Sequence, residues 1–158
     1  TSVITYPTTV IDPTSAYSVS MWYNKASATE ILFECISTTP IQNQGLLYSS
    51  ATTILLATIN NNGSTALTTL NFPITTPIGE WTHLVAVFNL ASSQVYVNGA
   101  PVAAPVALPT TATPENAFTL GGGNGGTRFQ GQMDQVRVYN SALTAGQVTN
   151  LYNEISCS

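Results

Sequence analysis

Charge is what this sequence has least of. Asp, Glu, Lys and Arg make up 6% of its 158 residues, against roughly a quarter in an average soluble domain. Three residues are basic and the net charge is −4. Nucleic acid as a partner is excluded, because phosphate recognition needs a Lys/Arg footprint. Electrostatic attachment to an anionic membrane surface is excluded on the same ground. Long apolar runs are missing too, and no segment reaches the roughly 18 or more consecutive apolar residues that would span a membrane. Cysteine occurs twice, as Cys35 in an apolar run and Cys157 one residue from the end. Neither lies in the CxxC spacing of a zinc site. A charge-poor, Thr-rich composition suits an oxidising exterior, so a Cys35–Cys157 disulfide is expected. Over so long a loop it would contribute up to about 4–5 kcal/mol; the alternative is one buried thiol and one at a frayed end. The chain opens without a charged and then apolar leader, which implies a removed signal peptide or a domain cut from a longer protein.

What fills the sequence instead is Ser, Thr and Asn interleaved with aliphatic and aromatic residues. At this length a single domain over 1–158 would bury about two-thirds of its unfolded surface. Residues 1–16 alternate loosely and are broken by Pro7 and Pro13, as in an edge strand or an arm that pairs with another subunit. Tyr17, Val19, Met21 and Tyr23 share one face of a strand, and Ser18, Ser20 and Trp22 share the other. Strands are also expected over 30–36, 46–49, 53–59 and 66–72, with Asn60 to Gly63 as a turn. Residues 82–89 are apolar on both faces, as in a central strand. Asn98-Gly99 joins 94–97 to 100–103 as a two-residue primed hairpin. Residues 101–114 read as a long surface loop, 117–120 as a strand and Gly121 to Gly126 as a glycine-rich loop.

The closing stretch is the most locally determined. Met133 to Tyr139 alternates like a half-buried strand, with Val136 and Val138 on one face. Thr144 and Gln147 form a capping box, with Leu143 and Val148 as its hydrophobic staple. Val148, Leu151, Tyr152 and Ile155 then fall on one helical stripe. Ten or eleven short strands and one terminal helix predict an all-β, antiparallel two-sheet sandwich.

Four stretches together, YSVSMWY at 17–23, GEWTHLVAVFN at 79–89, VYVNGAPV at 95–102 and FQGQMDQVRVYNSALTAGQV at 129–148, resemble the concanavalin A-like lectin/glucanase superfamily. Within it, the likeness is to laminin G-like and pentraxin-like domains. The resemblance implies a jelly roll whose concave sheet and rim loops bind glycans or proteins. It does not by itself identify a ligand, since functions on one fold are diverse.

Several residues are candidates for chemistry. Retaining glucanases of this fold carry E-x-D-x-E on a concave strand. Here EILFE places Glu30 and Glu34 on one strand but has Leu32 at the middle position, so both are expected to be solvated charges and no enzyme activity is expected. Asp134 resembles the Asp that holds a structural calcium ion in many relatives. Calcium takes about six to eight oxygens, which carbonyls of 12–16 and the Asp12 carboxylate could supply. The competing reading is that Asp134 bonds a turn or pairs with Arg137 or Arg128. His83, the only histidine, is expected to be a hydrogen-bonded structural residue, and Trp22 and Trp81 to be packing residues rather than sugar platforms. Asn60, Asn61, Asn62, Asn124 and Arg128 lie on the expected ligand-binding rim, and Asn62-Gly63-Ser64 is a glycosylation acceptor. The expected function is a non-catalytic recognition module of lectin or adhesion type, at an extracellular, cell or virion surface, with a glycan or protein ligand. The alternative is a structural subunit of a coat, filament or stalk that assembles through its N-terminal arm.

Overall fold

A computed structural model describes residues 4–6, 15–28, 30–38, 41–59, 67–89, 91–107, 117–122 and 128–154. Eleven strands and one helix run through them in the order β1 (Ile4–Tyr6), β2 (Tyr17–Lys25), β3 (Glu30–Thr38), β4 (Ile41–Ser49), β5 (Thr53–Ile59), β6 (Leu67–Pro73), β7 (Thr82–Phe88), β8 (Gln94–Val97), β9 (Ala100–Pro101), β10 (Ala117–Leu120), β11 (Gly131–Tyr139) and α1 (Ala145–Tyr152). They form a six-stranded sheet, β1-β10-β3-β4-β5-β6, and a five-stranded sheet, β11-β2-β7-β8-β9. Every strand pairing is antiparallel. The N-terminal arm supplies β1, an edge strand whose partner is β10 of the same chain.

Alternation along β2 drives the assembly. Tyr17, Val19, Met21 and Tyr23 enter a core shared with Leu32, Phe33, Ile54, Leu56, Phe72, Leu84, Ala86, Phe88 and Val95. Tyr17 stacks on Phe88 at 4.5 Å between ring centroids. The 98–99 hairpin has the expected primed geometry, with Asn98 at φ +50° and Gly99 at φ +80°. β4 begins five residues earlier than its apolar run suggested, at Ile41, because backbone pairing with β3 rather than side-chain pattern extends it.

One local expectation holds with an addition and one needs correction. Val136 and Val138 share a face as expected, and simple alternation along β11 would oppose Met133 to them. A register shift between Asp134 and Arg137, with Gln135 at φ +47°, puts all three against the core. An extra residue in one strand reverses the facing of every residue after it. Glu30 and Glu34 are not solvated, since each is completely buried. Glu30 Oε1 accepts the Ser27 N–H at 3.1 Å. Lys25, the only lysine, is buried as well, and its Nζ donates to Ser49 Oγ and to the Ser50 carbonyl, both at 3.2 Å. Burial pulls the Lys25 pKa down, and the nearby Glu30 carboxylate opposes that shift.

The outer face of the five-stranded sheet carries a second apolar cluster under α1. Val148 and Leu151 rest on Val85, Val87 and Tyr96, with Leu143 alongside. The capping box is formed as expected: Gln147 N–H donates to Thr144 Oγ1 and the Thr144 N–H to Gln147 Oε1. Ser18 clips the helix to the sheet, donating to the Ser141 carbonyl at 2.8 Å and accepting the Leu143 N–H at 3.0 Å. His83 is buried in this layer, 3.2 Å from Ser20 Oγ through Nε2, while its Nδ1 has no partner. Burial depresses its pKa to about 4; nearby Arg137 adds to the shift and Glu154 opposes it.

This packing has two measurable consequences. A Cβ at Gly131 would lie 2.0 Å from the Asn24 carbonyl oxygen, so Gly131→Ala should lower stability by about 2–3 kcal/mol, read from the denaturant midpoint. His83 binds its proton at about pH 4 when folded and near the ordinary 6.5 when unfolded. Between those values the unfolded state holds more protons, so the stability contribution of neutral His83 is complete above pH 6.5 and is lost as pH falls toward 4. Melting curves across that window should lose part of their pH slope in His83→Gln; an unchanged slope would show that carboxylates alone set it.

Candidate functional site

The outer face of the five-stranded sheet ends in an aromatic and acidic groove. In register, Asp134 of β11 lies beside Trp22 of β2, and Trp22 beside His83 of β7. These three therefore form one row across the sheet. Trp22 is half-buried and packs against His83, with ring centroids 5.1 Å apart, and against Tyr152 of α1 at 5.8 Å in a stacked arrangement. Tyr152 is itself seated over Gly99, where an added Cβ would lie 2.9 Å from its ring.

A loop supplies the far wall. Gly79 donates its N–H to the Lys25 carbonyl at 2.9 Å and accepts from Asn24 Nδ2 at 3.2 Å, which fixes the 77–81 segment at the end of β2. The loop leads directly into β7 and leaves Trp81 45% exposed. Trp22, Trp81, Asp134, Gln135 and Glu154 line an open cavity of about 260 Å³, near the low end of small-molecule pockets.

The polar groups of the groove are arranged by backbone geometry. Asp134 is exposed, and its Oδ1 accepts the Gln135 N–H at 2.7 Å, which supports the left-handed backbone there. Glu154 is paired with Arg137, and this hydrogen bond raises the Arg137 pKa. With both side chains over a third exposed, the pair contributes at most about 1 kcal/mol and serves mainly to place Glu154. Chemically, the groove offers the exposed indole of Trp81, part of Trp22, and carboxylate and amide acceptors, a combination that grips a ring with an apolar face and hydroxyl or amine substituents.

The sequence-predicted residues are distributed differently. Of the calcium pair, Asp134 lies in the groove and bonds its own turn, while Asp12 lies outside the described residues. Asn60, Asn61, Asn62 and Asn124 also lie outside them, and so do Ile155 and Cys157. Cys35 is buried in the core. Arg128 is exposed just before β11, where its backbone bridges to Ile31, and it does not line the groove. Trp22 and Trp81, expected as packing residues, leave part of their surface open to the groove. Gln135 and Glu154 had no signal in the sequence, because a bulge and a helix C-terminus brought them there.

Comparison with known proteins agrees with this architecture. No curated protein matches the chain. Among solved structures, domain 4 of AbnA, a GH43 extracellular arabinanase from Geobacillus stearothermophilus in complex with arabinotriose, superposes with a TM-score of 0.71. It is 24% identical over 96% of this chain and 72% of that one. The receptor-binding domain of botulinum neurotoxin type G gives a TM-score of 0.69 at 12% identity, over 96% of this chain and 39% of its own. A heptameric SAP-like pentraxin from Limulus polyphemus gives 0.66 at 21% identity, over 89% and 70%. At these identities the likeness is one of fold, the jelly-roll sandwich. The described residues contain no helix long and apolar enough to cross a membrane. A family description matches residues 1–149, and the chain belongs to the concanavalin A-like lectin/glucanases superfamily.

Proposed function

We propose that this chain is a non-catalytic carbohydrate-recognition module acting outside the cell. The observation that carries the proposal is the groove, in which Trp22 and the exposed Trp81 face a cavity shared with Asp134 and Gln135. Sugar rings present C–H faces that stack on indoles, and hydroxyls that donate to a carboxylate or an amide oxygen. Solved neighbours include the arabinotriose-bound arabinanase domain and a receptor-binding domain, which supports binding rather than turnover. Glu30 and Glu34 lie buried in β3 with Leu32 between them, an arrangement that supports no acid and nucleophile pair open to substrate.

No step of this proposal runs through a metal ion. Calcium requires about six to eight oxygen ligands, and among the described residues no three His, Cys, Asp or Glu side chains gather to hold one. Asp134 already has one oxygen engaged by Gln135.

Thermal melting against a panel of neutral oligosaccharides tests the function, since a ligand that binds only the folded state raises the melting temperature. At least one glycan should do so, and Trp81→Ala should weaken its binding by roughly tenfold, the loss of one aromatic stack. The melting temperature without ligand should barely change, because Trp81 is 45% exposed. If Trp81→Ala binds like the parent chain, the groove is not the site. Binding is also expected to survive EDTA; its loss there would place a cation in the site.

A further inference from the structure

We infer that the groove selects sugars carrying a protonated amine, such as an unacetylated hexosamine, over neutral or acidic ones. This rests on the groove being the carbohydrate site and adds the charge of its ligand. Two carboxylates line the cavity, and Glu80 is exposed in the same loop that presents Trp81. Glu154 shares its charge with Arg137, whereas Asp134 has no basic partner among the described residues. The chain's other two cations are unsuited to receive an anionic ligand here. Lys25 is buried and donates to Ser49 and Ser50, and Arg128 does not line the groove. A uronate or sulfate would therefore meet uncompensated negative charge.

An ammonium group is complementary to every part of this wall. It supplies three donors and a positive charge to the Asp134 carboxylate. It is also attracted to the exposed indole of Trp81, indole being the strongest cation–π partner among side chains. N-acetylation removes the charge, and with it both attractions, while leaving the ring that stacks. The cavity of about 260 Å³ suits a single ring with its substituents, so one amine at one position decides the preference.

Isothermal titration calorimetry of the intact chain tests this with glucosamine oligomers, their N-acetylated counterparts and uronic acid oligomers. Near pH 6, the aminated series should bind at least about tenfold more tightly than the acetylated series at low salt. That preference should shrink toward unity in about 0.5 M salt, where short-range screening removes most of an exposed charge interaction. Asp134→Asn retains an oxygen that can accept the Gln135 N–H, and melting checks that it folds; it should cut the preference severalfold, leaving only the cation–π share. Trp81→Ala should weaken both series. Equal binding of aminated and acetylated oligomers would overturn the amine selectivity while leaving the carbohydrate site standing. Binding of no sugar at all would overturn both. Tighter binding of a trimethyllysine peptide than of any aminated sugar would overturn it in favour of a protein partner.

Discussion

The backbone at Gln135 is the constraint on which the rest of the groove depends. β11 is an edge strand that must pack against the core on one side and build a site on the other. A left-handed residue at φ +47° costs of the order of 1–3 kcal/mol unless its surroundings hold it. Here the Asp134 carboxylate accepts the Gln135 N–H, and Met133, Val136 and Val138 are all delivered to the core. The same bulge leaves Asp134 beside Trp22 on the outer face. One irregularity thus serves packing and site together. It also disrupts the pairing edge of β11, which discourages unwanted strand addition.

The outer face of the five-stranded sheet is covered only in part, and that division makes a site possible. Val148 and Leu151 seal one region over Val85, Val87 and Tyr96. Next to it, Tyr152 reaches past the sealed region to meet His83 and Trp22. The indole of Trp22 is therefore held by neighbours on a strand and a helix, rather than swinging on a loop. A binding surface mounted on regular elements keeps its geometry and loses less entropy when a ligand arrives. Gly99 has a matching function at the other end, since its missing Cβ is the space Tyr152 occupies. His83 links the two regions: its burial without a partner for Nδ1 makes the seat of the helix most secure when the ring is neutral.

How far the sequence could be read depends on how local each determinant is. The β2 alternation, the Asn98-Gly99 hairpin and the Thr144–Gln147 capping box are written within a few residues, and the structure contains each of them. The two-sheet jelly roll was legible through those elements and through the four stretches resembling the superfamily. The site was much less so. Trp22, Trp81 and Glu154 meet because β2 pairs with β7 and α1 folds back over both, a relation that no window of sequence contains. The shared face of Val136 and Val138 was legible, but the bulge before them was not, because a bulge leaves no reliable mark in composition and Gln is an ordinary strand residue. Glu30 and Glu34 escaped for a different reason. Carboxylates are rarely fully buried, so the default of exposure failed where the fold enclosed both.

Scarcity of charge, which at first only excluded partners, also determines how the groove behaves electrostatically. On an average surface, a lone carboxylate sits among neighbouring lysines and arginines that offset its field. Here the basic inventory is three residues, of which Lys25 is buried, Arg137 is committed to Glu154 and Arg128 lies off the groove. The field of Asp134 is consequently left to solvent and salt to screen, over a distance of roughly 8–10 Å at ordinary ionic strength. Removing cations from the surroundings strengthens the local potential at the indole faces as effectively as adding a carboxylate would. A chain this poor in charge can therefore discriminate among ligands by charge with a single exposed Asp, provided the backbone holds that Asp in place.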